Sequence, residues 1–305
     1  VTEQILHSEP AVAITNGIEI VYDTFGNPSD PPILLVMGIG CQMIDWKEDF
    51  CFKLASHGYR VIRYDNRDVG LSTKFDDAGV PNMLEMFLAA TRGEQIDAAY
   101  TLRDMADDGV GLLDALEIEK AHVVGVSMGG MIVQSMAIHH PTRLASMISI
   151  MSTTGEPDLP PPTPEALAVL TTPAPTDREG YIENSIKNSR VLSGPKFPPN
   201  EDLLREHTGL KFDRGIHPAG VARQMAAIMA SGGRREKLKS VTIPTLVIHG
   251  DADPLVPLEG GKDTAEAIPG AELIIMEGMG HDLPMELWLQ IIDAIVKHVS
   301  KFEIS

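Results

Sequence analysis

The sequence predicts an α/β protein: a mostly parallel sheet flanked by helices, with an α-helical cap inserted into it. Three observations predict this. Short apolar runs such as ILLVM (33–37) and AHVVGV (121–126) have the continuous hydrophobicity of strands buried on both faces. They alternate with segments of helical periodicity, as strand–helix–strand units require. The alternation breaks once, over 152–240, where strand signals vanish. The core is therefore expected at 1–151 and 241–305, and the helical cap at 152–240.

Two strands open the chain, near 10–15 and 18–25, and Asn16-Gly17 between them is a tight-hairpin signal. After the turn GNPSDPP comes the strand 33–37, a helix over 45–56 and a strand over 59–64. Thr101 and Asp104 form a capping-box pattern that starts a helix running to Leu116. The strand 121–126 leads into a helix with Met128, Met131, Ile132, Ser135 and Met136 on one face, ended by Pro141. A strand follows at 144–151. Seven prolines between 157 and 175 exclude a long helix there. Helices are expected at 177–189, with Thr176 and Glu179 as capping box, at 200–212 and at 218–230. The alternation resumes with strands at 243–250 and 271–276 and helices at 259–267 and 285–299.

A net charge of -18 repels phosphate backbones and anionic lipid, so neither nucleic acid nor a membrane is an expected partner. No apolar run reaches the roughly 18 residues of a membrane span. The opening VTEQILHSEP lacks the basic and apolar regions of a signal peptide. Cys41 and Cys51 are too few for a disulfide framework and lack metal-ligand spacing. Two reduced thiols fit a cytoplasmic protein. The oligomeric state is not legible.

Chemistry concentrates at strand ends. Gly125-Val126-Ser127-Met128-Gly129 is G-x-S-x-G set between a buried strand and a helix, the context in which such a serine stands exposed on a strained turn. A serine hydroxyl needs a base. Of ten histidines, only His281, in Gly278-Met279-Gly280-His281, combines a loop at a strand end with a place after a candidate acid. The base needs an acid to fix its tautomer. Asp251 and Asp253 both follow the strand 243–250; Asp253 is favoured, with Asp251 as a turn residue bonding local amides. The order Ser, Asp, His agrees with this kind of site. An oxyanion would meet the amide of Met128 and one from Met37-Gly38-Ile39-Gly40, with Ile39 preferred and Gly40 second. The turn Asp65-Asn66-Arg67-Asp68-Val69-Gly70-Leu71-Ser72 is read as a hydrogen-bonded brace rather than a carboxylate site.

GVSMG, DNRDVGLS, GDADPLVP and GMGH, in this order, resemble the α/β-hydrolase superfamily over nearly the whole chain. ILLVMG, VIRYDNRDVGLS, AHVVGVSMG, RVLSG (190–194) and TLVIHGDADP are more narrowly similar to the aclacinomycin methylesterase group, which removes a methyl group from a carboxymethyl ester on an anthracycline. Relatives often have His-Gly where this chain has Met37-Gly38; backbone amides act there, so the function is expected to persist. The resemblance implies a carboxylic ester hydrolase that works through an acyl-enzyme without cofactor or metal. Its substrate would be a small to medium, partly apolar ester. Met225 and Met229, on an apolar stripe of the cap, are candidate substrate contacts. The alternatives are carbon–carbon bond hydrolysis, lactone opening or perhydrolysis by the same triad, or a non-catalytic small-molecule receptor.

Overall fold

The computed structural model describes residues 5–302 and residue 304; the first four residues of the opening VTEQ stretch lie outside them. The hairpin forms as expected. β1 (Ala11–Thr15) and β2 (Ile18–Phe25) pair antiparallel, with Asn16 and Gly17 at φ 50° and 78°, the left-handed pair that a two-residue hairpin turn demands. β3 (Pro32–Val36) follows. The expected helix 45–56 is shorter: a single 3₁₀ turn at Met43–Asp45 precedes α1 (Glu48–Ala55). After β4 (Arg60–Tyr64) comes α2 (Met83–Thr91), a helix the sequence reading did not assign, capped by Asn82. α3 (Leu102–Ala115) carries the expected capping box, with the Thr101 amide donating to Asp104 at 2.7 Å. β5 (Ala121–Val126), α4 (Met128–His139) and β6 (Leu144–Ile150) complete the first part of the core.

Four helices then intervene: α5 (Pro164–Thr171), α6 (Arg178–Leu192), α7 (Glu201–Arg214) and α8 (Pro218–Ser231). The proline-rich stretch holds α5 because Pro164 sits in its first turn, where no backbone N–H is needed. The expected Thr176/Glu179 box is corrected: Asp177 is the cap, accepting from the Gly180 amide at 2.8 Å. Both side chains can cap, and the helix starts one residue later than expected. The short α9 (Arg235–Leu238) leads back to β7 (Thr245–Gly250), α10 (Leu258–Ala267), β8 (Glu272–Met276) and α11 (Trp288–Val299).

The eight strands are ordered β1-β2-β4-β3-β5-β6-β7-β8, parallel from β4 onward. Alternate residues of the central strands β3 and β5 feed different cores. Leu34, Val36 and Val123 pack with α3 and α4 on one face; Ile33, Leu35 and Val124 pack with α1 and α11 on the other. β3 and β5 are neighbours, yet the chain leaves β3 towards β4 and leaves β5 towards β6. The crevice where the order reverses, beyond the strands' carboxyl ends, is where sheets of this kind bind ligands.

The sheet also buries charge. Arg63 of β4 holds Asp23 of β2 through two bonds of 2.7 Å, both side chains 2% exposed, and lies 4.9 Å from the Phe25 ring centroid. Among the described residues, Arg63→Met leaves the Asp23 carboxylate with only His7 beside it. We expect a loss of about 3–5 kcal/mol in urea unfolding, as for any buried pair stripped of one partner. A loss below about 1 kcal/mol would contradict this.

Candidate active site

Ser127 stands between β5 and α4 with φ 53° and ψ −120°, a backbone that L-residues avoid at a cost of about 1–3 kcal/mol. Its amide donates to the Ile150 carbonyl at 2.9 Å, which ties the turn to β6. The glycines of the motif are sterically required. A Cβ at Gly125 would collide with the Gly129 carbonyl, and one at Gly129 with the Val36 carbonyl. Helix α4 therefore sits directly on the strand ends, and the half-buried Ser127 hydroxyl projects into the crevice.

The loop after β8 brings His281 to that hydroxyl, with Nε2 2.9 Å from Ser127 Oγ. Its Nδ1 is 2.8 Å from Asp253 Oδ2. In the tautomer that serves both bonds, Nδ1–H donates to Asp253 and Nε2 accepts the serine hydroxyl. Asp253 Oδ1 accepts the amides of Leu255 and Val256 at 2.9 and 2.8 Å, so the buried carboxylate is held at both oxygens. Asp251 does not reach His281. It accepts the Gly278 amide at 2.6 Å, a bond across to the histidine loop rather than the local turn bond expected of it. His249 donates to the Val256 carbonyl at 2.8 Å, and burial pushes its pKa down. His122 is likewise buried, bonded to Ser146 and pushed down to about 4 by burial.

Facing Ser127 is the loop after β3. A Cβ at Gly38 would lie 3.2 Å from the Ser127 Cβ, so this backbone passes against the serine. The Gly40 amide donates to the Gln224 side chain at 2.8 Å. The amides of Ile39 and Met128 donate to no other group among the described residues. Met225 and Met229 lie half-buried on α8, the helix that also carries Gln224. Among the described residues no cluster of three His, Cys, Asp or Glu side chains could hold a metal ion.

The end of α6 is stitched to the histidine loop. The His281 amide donates to the Leu192 carbonyl at 2.8 Å, and Ser193 Oγ donates to Asp282 Oδ2 at 2.6 Å. Gly194 packs so closely on Gly278 and Gly280 that no Cβ fits. RVLSG is thus part of the site's frame. Sequence reasoning missed Ser193, Asp282 and Gln224; the one available signal was the polar pair Arg223-Gln224 interrupting an apolar helical face.

Burial pushes the Asp282 carboxyl up to about 6, against the opposing pull of the Ser193 hydroxyl and His281. Oδ1 is buried without a partner among the described residues. The folded pKa lies above the unfolded value of about 3.9. The folded state therefore binds the extra proton, and the stability this confers is full below pH about 4 and lost as pH rises through about 6. Asp282→Asn cannot ionise, so its melting temperature should fall less than the parent's between pH 4 and 7. Identical pH dependence of the two melting temperatures would contradict the shift.

A model of the alpha/beta hydrolase fold family matches residues 31–286. The chain is 30% identical over 294 residues to rhodomycin D methylesterase DauP of Streptomyces sp. (strain C5), covering 90% of this chain and 92% of that protein. It is also 30% identical over 311 residues to rhodomycin D methylesterase DnrP of Streptomyces peucetius, covering 95% and 98%. Among solved structures, esterase RhEst1 from Rhodococcus sp. ECU1013 superposes with a TM-score of 0.76 over 96% of this chain and 99% of that one, at 21% identity. That last likeness speaks for the fold alone. The family match over most of the length, on a sheet with this strand order and this serine turn, means that the chain belongs to the α/β-hydrolase fold family.

Proposed function

We propose that this protein is a carboxylic ester hydrolase with Ser127 as nucleophile, His281 as general base and acid, and Asp253 as the group orienting His281. The observation that carries the reading is the unbroken relay from Ser127 Oγ to His281 Nε2 at 2.9 Å and from Nδ1 to Asp253 at 2.8 Å. Ser127 Oγ attacks the ester carbonyl as its proton passes to Nε2. The carbonyl oxygen gains the negative charge and is met by the amide of Ile39, in the loop after β3, and by that of Met128, at the N-terminus of α4. His281 returns the proton to the departing alcohol, which leaves Ser127 acylated. Water then attacks the acyl group, giving its proton to His281, and the acid departs as the serine is restored. Asp253 stays ionised throughout and stabilises the imidazolium.

Methyl esters are the proposed substrate class, on the likeness to the two rhodomycin D methylesterases. A methyl leaving group needs little room, so the acid half of the substrate would carry the specificity. The helical segment 152–240 would act as the cap that shapes that pocket, with Met225 and Met229 among its walls. Among the described residues no helix is long and apolar enough to cross a membrane; we place the protein in the cytoplasm because Cys41 and Cys51 are both free thiols.

The test is a panel of methyl esters of graded acid size, with lactones and vinylogous diketones alongside. Methyl esters should turn over fastest, and Ser127→Ala should lower kcat by about 10³–10⁶-fold without loss of folding. Faster turnover of the diketones or lactones would assign the triad to those bonds instead. Met225→Ala and Met229→Ala should shift the ratio of kcat/KM between small and large acids. A uniform fall across the panel would remove both methionines from the pocket.

A further inference from the structure

The loop that carries Ile39 is short, apolar and flanked by glycines, so its amides point usefully only if something outside the loop holds them. Its own turn supplies one bond, from the Cys41 amide to the Gly38 carbonyl. The remaining anchors come from elsewhere. Asn66 Nδ2 donates to the Met37 carbonyl at 3.0 Å, and the Met43 amide donates to Asp65 at 2.7 Å. Between these anchors lies Gly40, at φ 65°. Its amide is taken by Gln224 Oε1 at 2.8 Å, while Gln224 Nε2 donates to the Arg67 carbonyl at 2.8 Å.

We propose that Gln224, a fully buried residue of α8, is the positioning residue for the oxyanion site. One amide group binds the loop residue next to Ile39 with its oxygen and the rigid turn after β4 with its nitrogen. Both ends of this buried side chain are satisfied, so releasing either is costly. The bond does two things at once. It removes the Gly40 amide as a competing donor, and it fixes the peptide whose neighbour, Ile39 N–H, must face the developing charge. Val221, one turn earlier on α8, closes over the same glycine, 2.9 Å from where a Cβ would stand. The neighbour Arg223 locks the helix in register by a bidentate pair with Asp68, at 2.7 and 2.8 Å. Helix α8 therefore belongs to the catalytic frame as well as to the proposed cap, and an oxyanion site is complete only while α8 is seated.

This rests on the reading of Ile39 and Met128 as oxyanion donors, and the experiment separates the two. Amide NMR of the wild-type enzyme is recorded with and without phenylboronic acid, which forms a tetrahedral adduct on a reactive serine. The Ile39 and Met128 protons should move downfield on binding, and the Gly40 proton should stay protected from exchange. If neither Ile39 nor Met128 responds, the oxyanion reading itself fails. If Gly40 is the amide that moves and loses protection, Gln224 does not hold it and the proposal is overturned. Gln224→Met keeps the volume and loses the acceptor. It should lower kcat about 10–100-fold, short of the roughly 10²–10³ for deleting a donor outright. KM should change by less than about twofold, and the boronate inhibition constant should rise by the same factor as kcat falls. An unchanged kcat with a lowered melting temperature would make Gln224 a packing residue only. A loss expressed in KM alone would make it a substrate contact. If the variant does not fold, the wild-type spectra still decide.

Discussion

The strained backbone of Ser127 is the constraint on which the rest depends. A residue with a Cβ held at φ 53° needs surroundings that leave it no alternative. They are supplied by the Ile150 carbonyl on the neighbouring strand and by glycines at 125 and 129 that bring α4 down onto β3 and β5. The same contact puts the loop after β3 against the serine, and the α4 N-terminus beneath it. Strain, donor placement and a helix dipole are therefore three outcomes of one close approach, which any side chain at Gly125 or Gly129 would prevent.

The helices between β6 and β7 are positioned on the core by charge pairs as well as by apolar contact. Three aspartates on the loops after β3 and β4 each hold a cation from α7 or α8. Asp45 meets Lys211 at 2.8 Å and His207 at 2.9 Å, Asp65 meets Arg214 at 2.7 Å, and Asp68 meets Arg223. Burial opposes the charge on Asp68, but Arg223, Tyr100 and the Phe75 amide outweigh it and hold the carboxyl below its usual range. Such pairs add little net stability but fix geometry, since a misplaced partner leaves a buried charge alone. The turn Asp65–Ser72 is thus a brace, as its composition suggested, but one that joins the core to α7 and α8 rather than bracing the sheet alone.

What the sequence made legible was whatever a local pattern encodes. Period-two and period-3.6 hydrophobicity marked the strands and most helices, and G-x-S-x-G, GDADP and GMGH marked the strand ends where Ser127, Asp253 and His281 meet. Helix α2 escaped because MLEMFLAAT is apolar on nearly every side, and Leu84 and Leu88 are in fact exposed. The start of α6 was displaced by one residue because Thr176 and Asp177 are both competent caps. Gln224 and Ser193 were illegible for a different reason. Their partners, Gly40 and Asp282, are 184 and 89 residues away in sequence, and no spacing rule links a helix side chain to a loop amide at that distance. That the Gly40 amide is occupied by Gln224 was equally illegible in the sequence.

The central claim is covalent: an ester passes its acyl group to Ser127. Acid quenching of the enzyme within milliseconds of mixing with a slow-turning p-nitrophenyl ester, followed by intact mass and peptide mapping, tests it most directly. One acyl mass per chain on the peptide bearing Ser127, rising in step with the burst of p-nitrophenol, is the predicted result. Steady turnover with no adduct, or an adduct on another residue, would contradict the account.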